Sequence, residues 1–234
     1  MRLYLIRHAD PDYENNTITP AGHLEAKALA QRMAKEGLTQ IFCSPLPRAM
    51  ETARYTADAT GIEPVTEDWT CEVSACYFDS APEGKVAVWD TPGELIRGET
   101  PWPTHEDWAR IDPTYAAIVR QTYENMRTCS DRFVARHGYE RVGGRYAIRR
   151  ANKERIAIFC HNGTALWWLA HLLELPLPLV WSGFWHAPSA VTTILFEERS
   201  KEWAVPKALC VADTSHLYAA GLPIRPRGIL ANYD

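Results

Sequence analysis

No apolar run in this 234-residue chain is long enough to cross a bilayer, so a helical membrane span is excluded. No Lys- or Arg-rich stripe runs along it either, and 25 basic against 29 acidic residues leave a formal charge of -4. Nucleic acid is therefore not an expected partner, since phosphate-backbone binding needs a basic face. None of the six cysteines (Cys43, Cys71, Cys76, Cys129, Cys160, Cys210) belongs to a C-x-x-C pair, and several lie in strand-like apolar runs. That fits buried free thiols in a reducing compartment better than a disulfide framework. No H-x-x-x-H pair or carboxylate cluster at metal spacing occurs, so no metal or other cofactor is expected. The first apolar run, Leu3 to Ile6, is short for a secretory leader and is interrupted by Arg7 and His8. A soluble, cytoplasmic protein is expected, with a homodimer left open.

What is present is an α/β rhythm. Arg2 to Ile6 reads as a buried strand, and Thr19-Pro20 as an N-cap with proline in the first helical turn. The helix runs to about Glu36, where Gly37 stops it. Thr39 to Cys43 is a second strand, Leu46 to Thr60 a second helix closed by Gly61, and Glu63 to Glu67 a third strand. This order predicts a layered, mostly parallel sheet. The rhythm breaks from Cys76 to about Trp108, a stretch rich in Pro, Gly and Trp, and a helical pattern follows from Asp107 to His137. Residues 77–152 read as an insertion, or cap, within a single domain spanning 1–234. Strand and helix signals return at Arg155 to Cys160 and Gly163 to Leu173. A β-branched strand at Ala190 to Phe196 then faces a hairpin partner at Glu202 to Val211. The nine tryptophans read mostly as large core fillers under long loops.

Three strand ends carry chemistry-bearing residues: Arg7-His8-Ala9, Ser44 to Ala53 with Arg48 inside it, and Cys160-His161-Asn162-Gly163. Parallel strands present their carboxyl ends at one sheet edge, so His8, Arg48 and His161 are expected to meet there. An imidazole attacks phosphorus or moves a proton, and a guanidinium holds two phosphate oxygens at once. Taken singly, each has a plainer reading. Arg48 is an ordinary exposed helix arginine, Ser44 a residue that caps the helix after it, and Asn15 and Asn16 members of a polar turn.

Together these segments resemble the histidine phosphatase superfamily, the phosphoglycerate mutase-like fold. Its Arg-His-Gly motif matches Arg7-His8-Ala9, and its S-x-x-x-R-x-x-x-T-A motif matches Ser44, Arg48, Thr52 and Ala53. Its second-histidine motif matches Cys160-His161-Asn162-Gly163, and Asp213 to Leu217 is similar to its closing segment. Ala9 and Asn162 stand where glycine is common in the family, and the residues after Asp10 do not follow the Ser-x-x-Asn pattern. The resemblance implies a three-layer α/β/α sandwich with an inserted, partly helical cap.

It also implies roles. His8 is the nucleophile, kept neutral because Arg7 and Arg48 disfavour an imidazolium beside them. Arg7, Arg48, His161, Asn162 and Asn15 are expected around the phosphate. Glu72 is expected to protonate the leaving group, with Glu67, Glu83 and Asp10 as competitors. The branch with His-Asp at the second histidine is disfavoured by Asn162. The substrate implied is a small phosphorylated metabolite, hydrolysed through a phosphohistidine. The alternatives are mutase-type transfer and a catalytically silent module that binds phosphate ligands. The insertion is expected to reach over the carboxyl edge of the sheet, with Trp89, Trp102 or Trp108 at the pocket mouth. The basic residues from Arg141 to Lys153 either recognise an anionic tail or form a solvated face.

Overall fold

The computed structural model describes residues 1–73, 76–80, 84–98, 101–104, 106–107, 113–229 and 232–233. In chain order the first half carries β1 (Arg2–Arg7), β2 (Pro11–Asp12), β3 (Thr17–Ile18), α1 (Pro20–Lys35), β4 (Gln40–Cys43), α2 (Pro47–Thr60) and β5 (Pro64–Thr66). The middle carries β6 (Tyr77–Ser80), β7 (Gly84–Ala87), α3 (Gly93–Arg97), α4 (Pro113–Arg136), β8 (Tyr139–Val142) and β9 (Arg145–Ile148). The last part carries β10 (Arg155–Cys160), α5 (Asn162–Leu173), α6 (Leu177–Trp181), β11 (Val191–Glu197), β12 (Trp203–Asp213) and α7 (Ser215–Ala219). Short 3-10 turns sit at Asp68–Thr70 and Val88–Asp90.

The local signals act as written. Thr19 caps α1, its hydroxyl accepting from the Gly22 N–H at 3.0 Å, and Pro20 supplies the first turn. Gly61 ends α2 in the left-handed conformation, φ 70°, which costs a glycine no Cβ clash. Side chains alternate across β1. Leu3 and Leu5 join a core with Phe133 of α4 and Trp167, Trp168 and Leu169 of α5. Tyr4 and Ile6 join the opposite core with Leu29 and Met33 of α1 and Ala49 and Ala53 of α2. The sheet is thus the middle of three layers. Every residue of α5 from Asn162 to Leu172 is buried, so this helix is apolar around most of its circumference.

The central sheet has eight strands in the order β5-β4-β10-β1-β11-β12-β9-β8. The expected mostly parallel sheet is corrected here. β5-β4, β4-β10 and β10-β1 are parallel, whereas β1-β11, β11-β12, β12-β9 and β9-β8 are antiparallel. A parallel pair needs a crossover of a dozen residues or more. β11 and β12 are joined by residues 198–202, and β8 and β9 by Gly143-Gly144, so both pairs close as hairpins. The parallel half is the half that carries the candidate site.

Candidate active site

Parallel pairing of β1 with β10, and of β10 with β4, aligns three strand ends. Arg7 stands level with Cys160, so the residues that follow, His8 and His161, emerge side by side with ring centroids 5.1 Å apart. His8 is 2% exposed. Its Nδ1 lies 2.8 Å from the carbonyl oxygen of Ala9, which can only accept, so the ring proton is assigned to Nδ1. Nε2 is then the lone-pair nitrogen. It has no hydrogen-bond partner among the described residues and is not sealed from solvent. Burial, then the charge of Arg7, then that of Arg48 hold the His8 pKa well below its ordinary value. His8 is therefore neutral at physiological pH, as a nitrogen nucleophile must be.

Arg7 is 4% exposed, and its guanidinium is anchored by backbone: Nη1 donates to the carbonyls of His186 and, at 3.2 Å, of Arg227. Arg48, in the first turn of α2, donates from Nη1 to Asn16 Oδ1 at 3.1 Å and lies over the Tyr13 ring. The Nε atoms of both arginines are buried without partners. Ser44 Oγ accepts the Leu46 N–H, as a residue capping the start of α2 would, and also lies 2.8 Å from His161 Nε2. The Nδ1 of His161 is likewise buried without a partner. Burial, then His8, Arg48 and Arg7, push the His161 pKa well down. Asn162 Oδ1 accepts the His186 N–H, so it positions the carbonyl that anchors Arg7, and its side chain lines the cavity.

Glu72 closes the floor over the start of α5. Its carboxylate accepts the N–H groups of Val73 (3.0 Å), Thr164 (3.0 Å) and Gly163 (3.3 Å). Burial nevertheless raises its pKa against those hydrogen bonds and the charge of Arg7. Gly163 is required by this packing, because a Cβ there would stand 2.7 Å from Glu72 Oε1 and 2.9 Å from the Trp89 ring. A cavity of about 610 Å³ opens above, lined by Arg7, Arg48, Glu72, Asn162, Trp89 and Asp90 among others.

Other expectations resolve differently. Asn15 is exposed and tied to Asp12 by both its backbone and its side chain, so the polar turn holds it away from the arginines; Asn16 is the neighbour that meets Arg48. Glu67 is bound by Arg136 and by the Trp69 indole N–H. Asp10 is bound by Arg227 and Thr19, which outweigh its burial and hold its pKa below the ordinary value. Neither carboxylate lines the cavity. Of the tryptophans, Trp89 is in the cavity wall and Trp102 is not, while Trp108 and Glu83 lie outside the described residues. The basic cluster sits on and around the β8–β9 hairpin, where Arg141 pairs with Glu174, Arg149 with Glu140 and Arg150 with Glu154. His216 bonds Ser189 and Asp213 pairs with Arg32, so the closing segment braces the fold beside α1.

Two features have no counterpart in the motif reading. Asp90 lines the cavity with a pKa raised to about 6, chiefly by burial. It follows Trp89 in a stretch without periodicity, and no spacing signal marks it. The C-terminal strap is the second: the Arg227 carbonyl holds Arg7 and its guanidinium holds Asp10, 217 positions away.

Known proteins share sequence motifs and the fold with this chain. The family model of the histidine phosphatase superfamily (branch 1) matches residues 3–207. A probable phosphoglycerate mutase of Yersinia enterocolitica is 28% identical over 91 residues, 35% of this chain and 42% of that protein, so the match spans less than half of the curated relative. The Entamoeba histolytica phosphoserine phosphatase crystallised with 3-phosphoglyceric acid has the same fold, with TM-score 0.61 and 20% identity over 92% of this chain and 98% of that one. The mycobacterial glucosyl-3-phosphoglycerate phosphatase in complex with VO3 superposes with TM-score 0.58 and 18% identity, covering 89% and 97% of the two chains. With its matched segment running from β1 into β12, the chain belongs to the histidine phosphatase superfamily, branch 1.

Proposed function

We propose that this protein is a phosphatase that hydrolyses a small phosphorylated metabolite through a phosphohistidine on His8. The observation that carries the reading is a set of buried nitrogens left without partners among the described residues around one neutral imidazole: the Arg7 and Arg48 Nε–H groups, and His161 Nδ1, which is a donor when the Ser44 hydroxyl donates to Nε2. A buried unpaired donor costs about 1–3 kcal/mol. Such donors gathered at one strand edge call for an anion with several acceptor oxygens, which is what a phosphoryl group supplies. The names of the relatives, a phosphoglycerate mutase and phosphatases of phosphoserine and glucosyl-3-phosphoglycerate, fit the same ligand class.

In the first step the His8 Nε2 lone pair forms the N–P bond as the ester P–O bond breaks, and the leaving oxygen takes the proton of Glu72. Arg7 and Arg48 bind the nonbridging oxygens, each charge-assisted hydrogen bond contributing about 1.5–3 kcal/mol. If the Ser44 hydroxyl donates to His161 Nε2, Nδ1 carries the proton and adds a further donor. In the second step water attacks phosphorus, Glu72 accepts its proton, and the N–P bond breaks to return neutral His8 and inorganic phosphate. Glu72 is preferred as the acid because burial raises its pKa, which favours the protonated form, and it lies in the cavity wall. Residues of β7 and the turn after it share that wall with Arg7 and Arg48, which supports the insertion as the part that selects the substrate. Six free thiols, three of them buried, are consistent with a cytoplasmic setting.

Hydrolysis of p-nitrophenyl phosphate tests the reading. The purified protein is expected to turn it over, and His8→Ala to lose roughly a thousandfold or more. An alkaline quench is expected to trap an acid-labile phosphoenzyme that His8→Ala lacks. Equal rates for the two proteins, or no turnover of any phosphate ester by the wild type, overturn it. With 3-phosphoglycerate, release of inorganic phosphate marks hydrolysis and formation of 2-phosphoglycerate marks transfer.

A further inference from the structure

The phosphate cavity does not end at the phosphate. Trp89, Asp90, Asn162 and Gly228 line it and also line a second cavity of about 610 Å³. This second space runs between the Val88–Asp90 turn, α6 and the C-terminal strap, and its walls include Trp181, Phe184 and Trp185. Asp90 stands at the junction. A Cβ built on Gly228 would lie 3.9 Å from Asp90 Oδ1 and 3.8 Å from the Trp185 indole nitrogen, which places the carboxylate against the strap.

Two observations set the chemistry of that junction. The Asp90 carboxylate has no hydrogen-bond or ion-pair partner among the described residues. Also among the described residues, the only cationic side chains lining either cavity are Arg7 and Arg48, both committed to phosphate in the reading above. Arg97 comes near only at the far rim, where its guanidinium lies beside Gly183. A leaving group that crosses the junction therefore meets Asp90 and Glu72, and among the described residues no further cation lines the way to receive an anion.

We propose that Asp90 is a specificity-determining residue that selects phosphate esters of polyhydroxy alcohols, such as sugar phosphates, and excludes those with a carboxylate next to the ester. A hydroxyl donates to the Asp90 carboxylate, and the rest of the sugar continues over the aromatic wall of the second cavity. A carboxylate at the same place meets like charge in a partly buried site, where repulsion is not screened away. The inference rests on the phosphatase reading, yet it separates this chain from neighbours named for phosphoserine and 3-phosphoglyceric acid, both carboxylates.

The test compares glycerol 3-phosphate with 3-phosphoglycerate, two esters of like size that differ in a hydroxymethyl against a carboxylate. Wild-type protein is expected to favour the glycerol ester at least tenfold in kcat/KM, mainly through KM. Asp90→Asn, which keeps the shape and removes the charge, is expected to shrink that ratio to about threefold or less. Calorimetric binding of both esters to His8→Ala protein reads the same preference without turnover, so it stands or falls apart from the phosphatase reading. A wild type that handles the two esters equally, or an Asp90→Asn protein with the ratio unchanged, overturns the proposal. Loss of p-nitrophenyl phosphate hydrolysis in the wild type would count against the phosphatase reading and leave the binding ratio to decide this one.

Discussion

Glu25 is a buried carboxyl directly behind the site, and neutralising it should change how stability depends on pH. It sits on α1 at 2% exposure, with Oε2 accepting the Asp10 N–H at 2.8 Å and Oε1 buried without a hydrogen bond. Arg225 approaches Oε1 only to 3.8 Å. Burial first, and then the Asp10 charge, raise the Glu25 pKa from 4.5 to about 7. The folded state thus holds a proton that the unfolded chain releases between those two values. The unfolded state binds fewer protons there, so stability falls as pH rises from about 4.5 to 7 and then levels off. At 1.36 kcal/mol per pKa unit the total loss is about 3 kcal/mol. Glu25→Gln keeps an acceptor for Asp10 and cannot ionise. Urea melts of both proteins at pH 5, 6, 7 and 8 should show the variant gaining on the wild type across this range, by about 2–3 kcal/mol in all. A difference that stays flat from pH 5 to 8 would refute the reasoning, because every other titrating group is common to both proteins.

Three further outcomes follow from the same contacts. With Glu72 as proton donor, kcat should fall as pH rises through its elevated pKa, and Glu72→Gln should lower the rate and remove that alkaline limb from the pH–rate profile. Gly163→Ala would drive a methyl into Glu72 Oε1 and the Trp89 ring, so kcat should drop by roughly tenfold or more and stability by about 1–3 kcal/mol in thermal melts. Thr19→Ala removes both the cap of α1 and a 2.7 Å hydrogen bond to the buried Asp10, and should cost about 1–2 kcal/mol by denaturant titration.

Much of the site was legible before any coordinates because it lies at strand ends. A residue at the carboxyl end of a parallel strand needs no long-range information to be placed at the common edge. Arg7-His8, Arg48 and Cys160-His161 could therefore be brought together from three short motifs and a β-α-β order. The caps were legible for the same local reason: Thr19-Pro20 and Gly61 act within one helical turn. Glu72 was harder, since no regular element announces it. Its support came from the family motif, and its contact with the first turn of α5 spans 91 positions.

The sequence by itself determined the α/β class and the helix boundaries near Thr19 and Gly61, because each follows from periodicity or from chemistry within a few residues, and its family motifs pointed to the histidine–arginine set that meets at one sheet edge. Only the tertiary structure decided the rest. The antiparallel half of the sheet depends on which strands meet, which short connections constrain but periodicity does not reveal. The pairing of Asn16 with Arg48, 32 positions apart, depends on how the turn after β2 meets α2, whereas Asn15 is held locally by Asp12. The raised pKa values of Asp90 and Glu25 depend on burial, which is a property of packed neighbours from several elements. The Arg227 strap joins residues 217 positions apart, and no local pattern encodes a contact of that range.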